Sequence, residues 1–178
     1  SHRFGSVPPR PQLPVVPLGI HAKDFYRKPE IRHSFRQEMG WTEDDIVVST
    51  VARLSPYSKF DPLPLFIALQ QAQKALGSQK RLHMVACSYY ADTDSKKVFE
   101  VGAASLMPDV GYHYLNGDIS GNRDKAYSGA DIAAYPIDNM QELFGLSPIE
   151  AMAAGLPVIA SDWDGLCLLY TSPSPRDR

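Results

Sequence analysis

Short apolar runs alternate with longer segments of helical period over most of this chain. The nearly continuous, β-branched run at residues 45–52 is typical of a parallel strand that is covered on both faces. Later apolar runs predict four further strands. The predicted strands are residues 45–52, 82–88, 110–115, 132–137 and 156–160. Because helical segments separate them, the pattern predicts an α/β fold of βαβ units around a parallel sheet.

Proline and glycine mark the ends of the predicted helices. The predicted helices are residues 31–39, 62–76, 95–107, 124–130 and 148–154. Asp61 is predicted to cap the second of them. The apolar face of that helix is predicted to hold Leu65, Leu69, Ala72 and Leu76. Ser147 is predicted to cap the last helix, with Pro148 at its first position and Gly155 as its stop.

The two ends of the chain lack this pattern. Residues 1–14 contain four prolines and no apolar period, so they are predicted to be a linker or the exit from a preceding domain. Residues 15–165 are predicted to form the domain. Residues 166–178 are predicted to be non-native or disordered, because Cys167–Asp177 resembles the in-frame translation of a sequencing-library adapter. The chain is therefore expected to be a truncated piece of a longer protein.

Composition narrows the class of protein. The 178 residues are 44% hydrophobic and carry a formal net charge of −2, which argues against sequence-independent binding to nucleic acid or acidic membranes. No apolar run approaches the roughly 20 residues of a membrane helix, and no signal peptide is visible, so a cytoplasmic domain is expected. With only Cys87 and Cys167, the sequence predicts neither a disulfide framework nor a zinc cluster. Cys87, His83 and His113 lie in predicted strands and are interpreted as structural residues.

Two polar loops follow predicted strands, at the edge of the sheet where α/β proteins bind ligands. The first offers Arg53 and Lys59. The second offers Glu142, the backbone amides of residues 145–147 at a helix start, and Glu150. Two cations and a helix N-terminus suit a diphosphate, because positive charge and N–H donors stabilise it without proton transfer. Carboxylates accept hydrogen bonds from sugar hydroxyls, so the combination suggests a nucleotide-diphosphate sugar.

Each of these residues also has an ordinary structural interpretation. Ser147 and Glu150 have the spacing of a capping box, so Glu150 could only cap its own helix. Arg53 and Lys59 could be surface cations, and Glu142 could be a solvated loop charge. Spacing alone leaves these alternatives open.

The segment around the two glutamates resembles the signature of a known family. Glu142, seven intervening residues and then Glu150, within ELFGLSPIEAMAAGLPVIASDWDG, strongly resembles the signature of the retaining glycosyltransferases of family 4. The resemblance extends over VARLSPYSKFDPLPLFIAL and takes in VVPLGI and YHYLNGDIS, so that it covers about Val15 to Gly165.

This resemblance implies the GT-B architecture, in which two Rossmann-like domains face each other across a cleft. The chain is similar to the C-terminal, donor-binding half, in an incomplete form. The acceptor site of such enzymes belongs to an N-terminal domain that is absent here. The parent protein is therefore expected to transfer a sugar to an unknown glycan, lipid or small molecule, and this piece alone is expected to be inactive.

The resemblance also implies a role for individual residues. Arg53 and Lys59 would bind the donor diphosphate and stabilise the leaving group, and Glu142 would contact the donor sugar. Enzymes of this kind are similar in needing no catalytic metal, so neither a metal nor another cofactor is expected. The residues expected to help bind the donor are Glu150 at the ribose, Phe144, Gly145, Leu146 and Ser147 at sugar and phosphate, and Ile119 near the base.

Two rival functions are also compatible with the sequence. One is a GT-B sugar-nucleotide epimerase, but the spaced glutamates and the basic pair favour transfer. The other is a non-catalytic module that binds nucleotide sugars. In each case the expected partner is a nucleotide-sugar donor, nucleic acid is not expected, and a membrane association is not encoded in this sequence.

Overall fold

Five parallel strands form one sheet, and helices cover both of its faces. The computed structural model describes residues 19–139 and 145–167. The strands are β1 (Ile46–Val51), β2 (Leu82–Ser88), β3 (Gly111–Asn116), β4 (Ile132–Tyr135) and β5 (Val158–Ala160). The helices are α1 (Pro29–Met39), α2 (Leu63–Leu76), α3 (Thr93–Leu106), α4 (Asn122–Gly129) and α5 (Leu146–Ala153). Short 3-10 turns lie at Ala22–Asp24 and Asp164–Cys167.

The order of the strands is β3-β2-β1-β4-β5, so the sheet reverses its direction of growth between β1 and β4. The chain moves outward from β1 through β2 to β3, and then returns across the sheet to β4 and β5. The connections that leave β1 and β4 therefore run to opposite sides, which opens a crevice at the carboxyl ends of these two strands. All five predicted strands are confirmed, with small shifts of their ends.

The two faces of the sheet pack against different helices. Successive side chains of a strand point to opposite faces, so neighbouring valines of β1 enter different cores. Val47 packs in one core with Phe35 of α1. Val48 packs in the other core with Phe66 of α2 and Phe99 of α3. Burial on both faces is the reason that β1 is apolar almost throughout.

The buried face of α2 differs from the predicted one. Its buried residues are Phe66, Leu69, Gln70 and Gln73. Of the residues expected there, Ala72 is exposed, and Leu65 and Leu76 are only half-buried. Gln73 accounts for much of the difference, because its amide nitrogen donates to two backbone carbonyls of the following loop, at 3.0 and 2.9 Å. A polar side chain that satisfies buried backbone groups can occupy a core position that periodicity assigns to an apolar residue.

Arginines of α1 hold the C-terminal end of α4. Arg36 is 2% exposed and donates to Gly129 O at 3.1 Å and to Asp131 Oδ2 at 3.3 Å. Arg32 donates to the same carbonyl at 3.1 Å and to Asp131 Oδ1 at 3.0 Å. Guanidinium groups at this end satisfy carbonyls that have no partner within the helix and complement the helix dipole. These bonds position α4, which carries two residues of the site described below.

The predicted linker at residues 1–14 lies outside the described residues. Of the tail predicted at residues 166–178, the structure describes Leu166 and Cys167. Leu166 is fully buried in the core beside α5, and Cys167 Sγ lies 3.1 Å from Asp162 Oδ1. The rest of that tail lies outside the described residues.

Candidate functional site

A cleft of about 230 Å³ lies at the carboxyl ends of the central strands. Its walls come from the segments that follow β1, β2 and β3 and from the first turns of α4 and α5. The polar residues that line it include Arg53, Ser88, Asp118, Arg123 and Ser147, and Tyr89 lies at its edge. The cleft thus occupies the position at which an open parallel sheet binds ligands.

The loop after β1 brings Arg53 to this cleft. The Arg53 side chain is exposed, and its Nη2 lies 3.5 Å from Ser58 O. Lys59 ends the same loop and is half-buried, with its backbone N–H donating to Ser55 O at 3.1 Å. Asn139, in the connection that follows β4, donates from Nδ2 to Ser58 O. The loops after β1 and β4 therefore meet beside the cleft.

The start of α5 forms the opposite wall, with Ser147 lining the cleft. The predicted cap of this helix was wrong, because the N-cap is Gly145 and Ser147 is the second helical residue. Gly145 has a φ of 69°, a left-handed conformation that favours glycine. Pro148 is tolerated at the third position, since first-turn N–H groups have no partner inside the helix. Those N–H groups and the helix dipole favour an anion at this wall.

Glu150 is directed away from its own helix start and toward α4. It is 7% exposed, and its Oε2 accepts hydrogen bonds from Arg123 Nη2 and from Tyr127 OH, both at 2.7 Å. The capping-box interpretation is wrong, because Ser147 does not cap the helix and the Glu150 carboxylate binds these two side chains instead. The cleft therefore has a buried carboxylate and an arginine in direct contact beside it.

Arg123 and Tyr127 were not predicted from the sequence as site residues. They lie four residues apart on α4, so they share one face of that helix. This spacing is the one signal that the sequence contains, and it does not indicate which carboxylate they bind. Burial raises the pKa of the Tyr127 hydroxyl, so this hydroxyl stays protonated at neutral pH and donates a hydrogen bond to Glu150.

A glycine turn after β3 closes the third side of the cleft. Gly117 N–H donates to Ser88 O at 2.8 Å, and a Cβ at Gly117 would lie 2.8 Å from Ser88 Cα. Only glycine allows this close approach of the two backbones. Ile119 follows the turn and is 57% exposed beside the cleft rather than in its lining.

The Cys87 thiol lines the cleft. Burial raises the pKa of this thiol to about 11. The thiol is therefore protonated at neutral pH, which agrees with its interpretation as a small apolar residue.

Two of the predicted site residues, Glu142 and Phe144, lie outside the described residues.

A larger depression, of about 480 Å³, lies at the opposite end of the sheet. Lys74 and Arg81 line it, together with residues that follow the ends of α2 and α3, such as Gly77 and Pro108. The C-terminal end of a helix carries the negative end of its dipole, which disfavours an anion. The cleft at the carboxyl ends of the strands is therefore the better candidate for an anionic ligand.

Within residues 19–139 and 145–167, no group of three or more His, Cys, Asp or Glu side chains is arranged to hold a metal ion. No helix in this described part of the chain is long and apolar enough to cross a membrane.

The sheet order and the helices on both faces match the Rossmann-like domains of GT-B glycosyltransferases. At the level of sequence, the family described as glycosyl transferases group 1 matches residues 31–171. The chain therefore belongs to the glycosyl transferases group 1.

Two curated relatives show how much of a longer protein this chain covers. It is 31% identical over 161 residues to a D-inositol 3-phosphate glycosyltransferase of Geodermatophilus obscurus, which covers 85% of this chain and 33% of the relative. It is 27% identical over 160 residues to a lipopolysaccharide 1,2-N-acetylglucosaminetransferase of Salmonella typhimurium, covering 89% of this chain and 40% of the relative. The chain thus spans well under half the length of these two relatives.

Solved structures give the same fold. The Anabaena protein HepE, solved in complex with UDP and glucose, superposes with a TM-score of 0.67 at 21% identity, over 85% of this chain and 38% of HepE. The C-terminal domain of the group 1 glycosyltransferase LpcC from Francisella tularensis superposes with a TM-score of 0.56 at 19% identity, over 83% of this chain and 72% of that domain. At these identities the likeness shows the shared fold.

Proposed function

We propose that this chain is the donor-binding domain of a retaining glycosyltransferase of family 4, which transfers a sugar from a nucleotide-diphosphate donor to an acceptor. The observation that carries the proposal is the cleft at the carboxyl ends of β1 and β4, where the sheet reverses its direction of growth. It joins the Arg53 guanidinium, the first turn of α5 and the contact between Arg123 and Glu150 in one place.

The proposed ligand fits this arrangement from one end of the cleft to the other. A diphosphate lies between Arg53, Lys59 and the N–H groups at the start of α5, where positive charge stabilises it. The ribose lies toward Glu150, and the base lies beyond the glycine turn near Ile119. Glu142, which lies outside the described residues, is proposed to contact the donor sugar.

The same groups account for catalysis in the proposed reaction. As the bond between the sugar and the diphosphate breaks, negative charge develops on the leaving oxygen. The two cations and the helix N-terminus stabilise that charge more strongly than they stabilise the intact donor, which lowers the barrier. In this proposal the protein supplies the positive charge, and no metal is needed.

A thermal-shift measurement on the 178-residue chain tests donor binding. UDP, GDP and ADP and their glucose conjugates are added separately, and ligand binding to the native state raises the melting temperature. We expect one nucleotide to raise it, and we expect Arg53→Ala to weaken binding at least about tenfold, since a charge-assisted hydrogen bond contributes about 1.5–3 kcal/mol.

Arg81→Ala is the matched control, because Arg81 is an exposed arginine at the opposite end of the sheet. It should retain the shift of the wild-type chain. A cooperative transition that none of these nucleotides shifts would contradict the proposal, and so would equal losses in the two variants.

A further inference from the structure

Two histidine rings meet at the amino ends of β2 and β3, at the end of the sheet opposite the proposed donor cleft. In the register of these parallel strands, His83 lies opposite Gly111, and His113 lies two residues further along β3. Both histidines therefore project from the same face of the sheet. Because Gly111 places no side chain between them, the rings approach each other, and His83 Nδ1 lies 3.2 Å from His113 Nε2.

Gly111 also leaves these two nitrogens uncovered. A Cβ at this position would clash with His83 Nδ1 and would lie 2.7 Å from His113 Nε2. A depression of about 200 Å³, lined by Gly111 and by both histidines, opens at this point. A small ligand can therefore reach the pair from solvent.

Trp41 holds both rings in place. Its ring stacks on His83 with the centroids 4.6 Å apart, and it meets His113 edge-on with the centroids 4.9 Å apart. His83 is 9% exposed, so its ring is confined by the core as well. Rings that are already fixed lose little further freedom when they bind a ligand.

The separation of the two nitrogens suits a metal ion. Two imidazole nitrogens on one tetrahedral Zn²⁺ are about 3.3 Å apart, because each Zn–N bond is about 2.0–2.1 Å long. Burial lowers the pKa of both rings, so both are neutral at neutral pH, and the neutral imidazole is the form that binds metal. We propose that His83 and His113 form a Zn²⁺-binding site that links β2 to β3.

Water completes the coordination in this proposal, because the described residues contain no group of three or more His, Cys, Asp or Glu side chains arranged for a metal. Asp109 and Arg81 line the same depression, and their opposite charges offset each other there. Asp109 Oδ2 also accepts a hydrogen bond from Gln70 Nε2 at 2.6 Å. The site is independent of the proposed function, since it lies at the other end of the sheet.

A hydrogen bond between two neutral rings is the alternative. In that case one ring N–H donates to the nitrogen of the other ring, and the pair only packs beside Trp41. Metal binding instead displaces the proton that lies between the two nitrogens. The two interpretations therefore differ in the response of the chain to zinc.

Calorimetric titration of the 178-residue chain with ZnCl₂ at about pH 7.5 tests the site. We expect one Zn²⁺ ion to bind per chain and to raise the melting temperature, since a ligand of the native state stabilises it. His83→Gln and His113→Gln should each weaken Zn²⁺ binding at least about tenfold, because losing even an outer partner of a metal ligand costs about 10–100-fold.

His33→Gln and Cys167→Ser are the matched controls, because each removes a side chain that can bind zinc but that does not line this depression. Both should retain the affinity of the wild-type chain. Absence of Zn²⁺ binding would refute the site, and so would equal losses in the controls and in the two variants of the pair. None of these outcomes bears on nucleotide binding.

A measurement on the wild-type chain decides the question if both variants of the pair unfold. Imidazole also binds Ni²⁺, which is paramagnetic and broadens the NMR signals of nearby nuclei. Ni²⁺ should broaden the ring signals of His83 and His113 before those of the exposed His21 and His33. Broadening of the two exposed histidines first would refute the site.

Discussion

At the scale of single residues, Glu150 joins two helices that the sequence keeps apart. Its carboxylate lies 27 positions from Arg123 and 23 positions from Tyr127, and it contacts both. A buried carboxylate requires partners, because the loss of its hydration without them costs on the order of several kcal/mol. The contact that satisfies Glu150 also brings a guanidinium into the cleft.

Gly145 is the residue on which the start of α5 depends. It combines a φ of 69° with a close neighbour, because a Cβ at this position would lie 2.6 Å from Leu166 Cδ2. Gly145→Ala should therefore lower the free energy of unfolding by about 3 kcal/mol, since it adds a steric clash to a strained backbone. Urea denaturation measures this change.

Gly155→Ala separates these two causes. Gly155 has a φ of 76°, but nothing lies within 4 Å of a Cβ added there. It should cost about 1 kcal/mol, from the backbone conformation alone. Equal losses in the two variants would show that the contact with Leu166 does not constrain the start of α5.

At the scale of elements, the amino ends of β2 and β3 are joined through a pair of histidines. His83 Nδ1 of β2 and His113 Nε2 of β3 are 3.2 Å apart, and the Trp41 ring stacks on His83 with the centroids 4.6 Å apart. Gly111 makes room for this pair, because a Cβ there would lie 2.7 Å from His113 Nε2. The interpretation of both histidines as structural agrees with this packing.

This histidine pair predicts a dependence of stability on pH. Burial lowers the pKa of His83, and it lowers the pKa of His113 from 6.5 to about 4. Above about pH 7 both rings are neutral in the folded and unfolded states. Between about pH 6.5 and pH 4 the unfolded chain binds protons that the folded chain does not, so stability falls as the pH falls.

We expect the free energy of unfolding to be lower at pH 5 than at pH 7.5 by about 1 kcal/mol, after allowance for the partial exposure of the rings. His113→Gln removes one titrating ring and should reduce this difference, whereas His33→Gln, at an exposed position of α1, should leave it unchanged. Urea denaturation at the two pH values measures both. An unchanged difference in His113→Gln would rule out the histidine pair as its source.

The elements also show where prediction from sequence succeeds and where it fails. β2 has the predicted bounds, Leu82–Ser88, because a strand buried on both faces is apolar at most of its positions. The cap of α5 was predicted incorrectly. The buried face of α2 was predicted in part, because Leu69 is buried and Leu65 and Leu76 pack against the core, whereas Ala72 is exposed. At α5, the segment that carries Leu166 lies close to Gly145, and in α2 the Gln73 side chain bonds the backbone of the loop before β2; neither contact is indicated by an apolar period.

At the scale of the whole molecule, the strand order brings the site together. Because β4 lies beside β1 rather than beside β3, the loop that carries Arg53 faces the start of α5. The chain spans 33% of its Geodermatophilus relative, and we propose that the acceptor lies on another domain of a longer parent enzyme. This chain alone is then expected to bind the donor without transferring the sugar.

In that parent enzyme, Lys59→Ala and Glu150→Ala should each lower transferase activity by at least about 100-fold, the usual effect of removing one group that stabilises developing charge or fixes the donor. Lys74→Ala, which removes an exposed lysine at the opposite end of the sheet, should retain activity. An assay of sugar transfer from the donor identified by thermal shift measures the change. Turnover like that of the wild-type enzyme in either of the first two variants would refute the assigned roles.

Local sequence was sufficient to place the strands, most helix ends and the loop that carries both Arg53 and Lys59. Burial on both faces requires mostly apolar runs. Proline interrupts a helix because it lacks a backbone N–H and has a fixed φ, and glycine ends one because it readily adopts a left-handed conformation. The roles of Arg123 and Tyr127 depend instead on how α4 packs beside α5. That packing follows from the strand order and from the arginines of α1 that hold α4. Contacts between segments so far apart in the chain leave no periodic signal in the sequence.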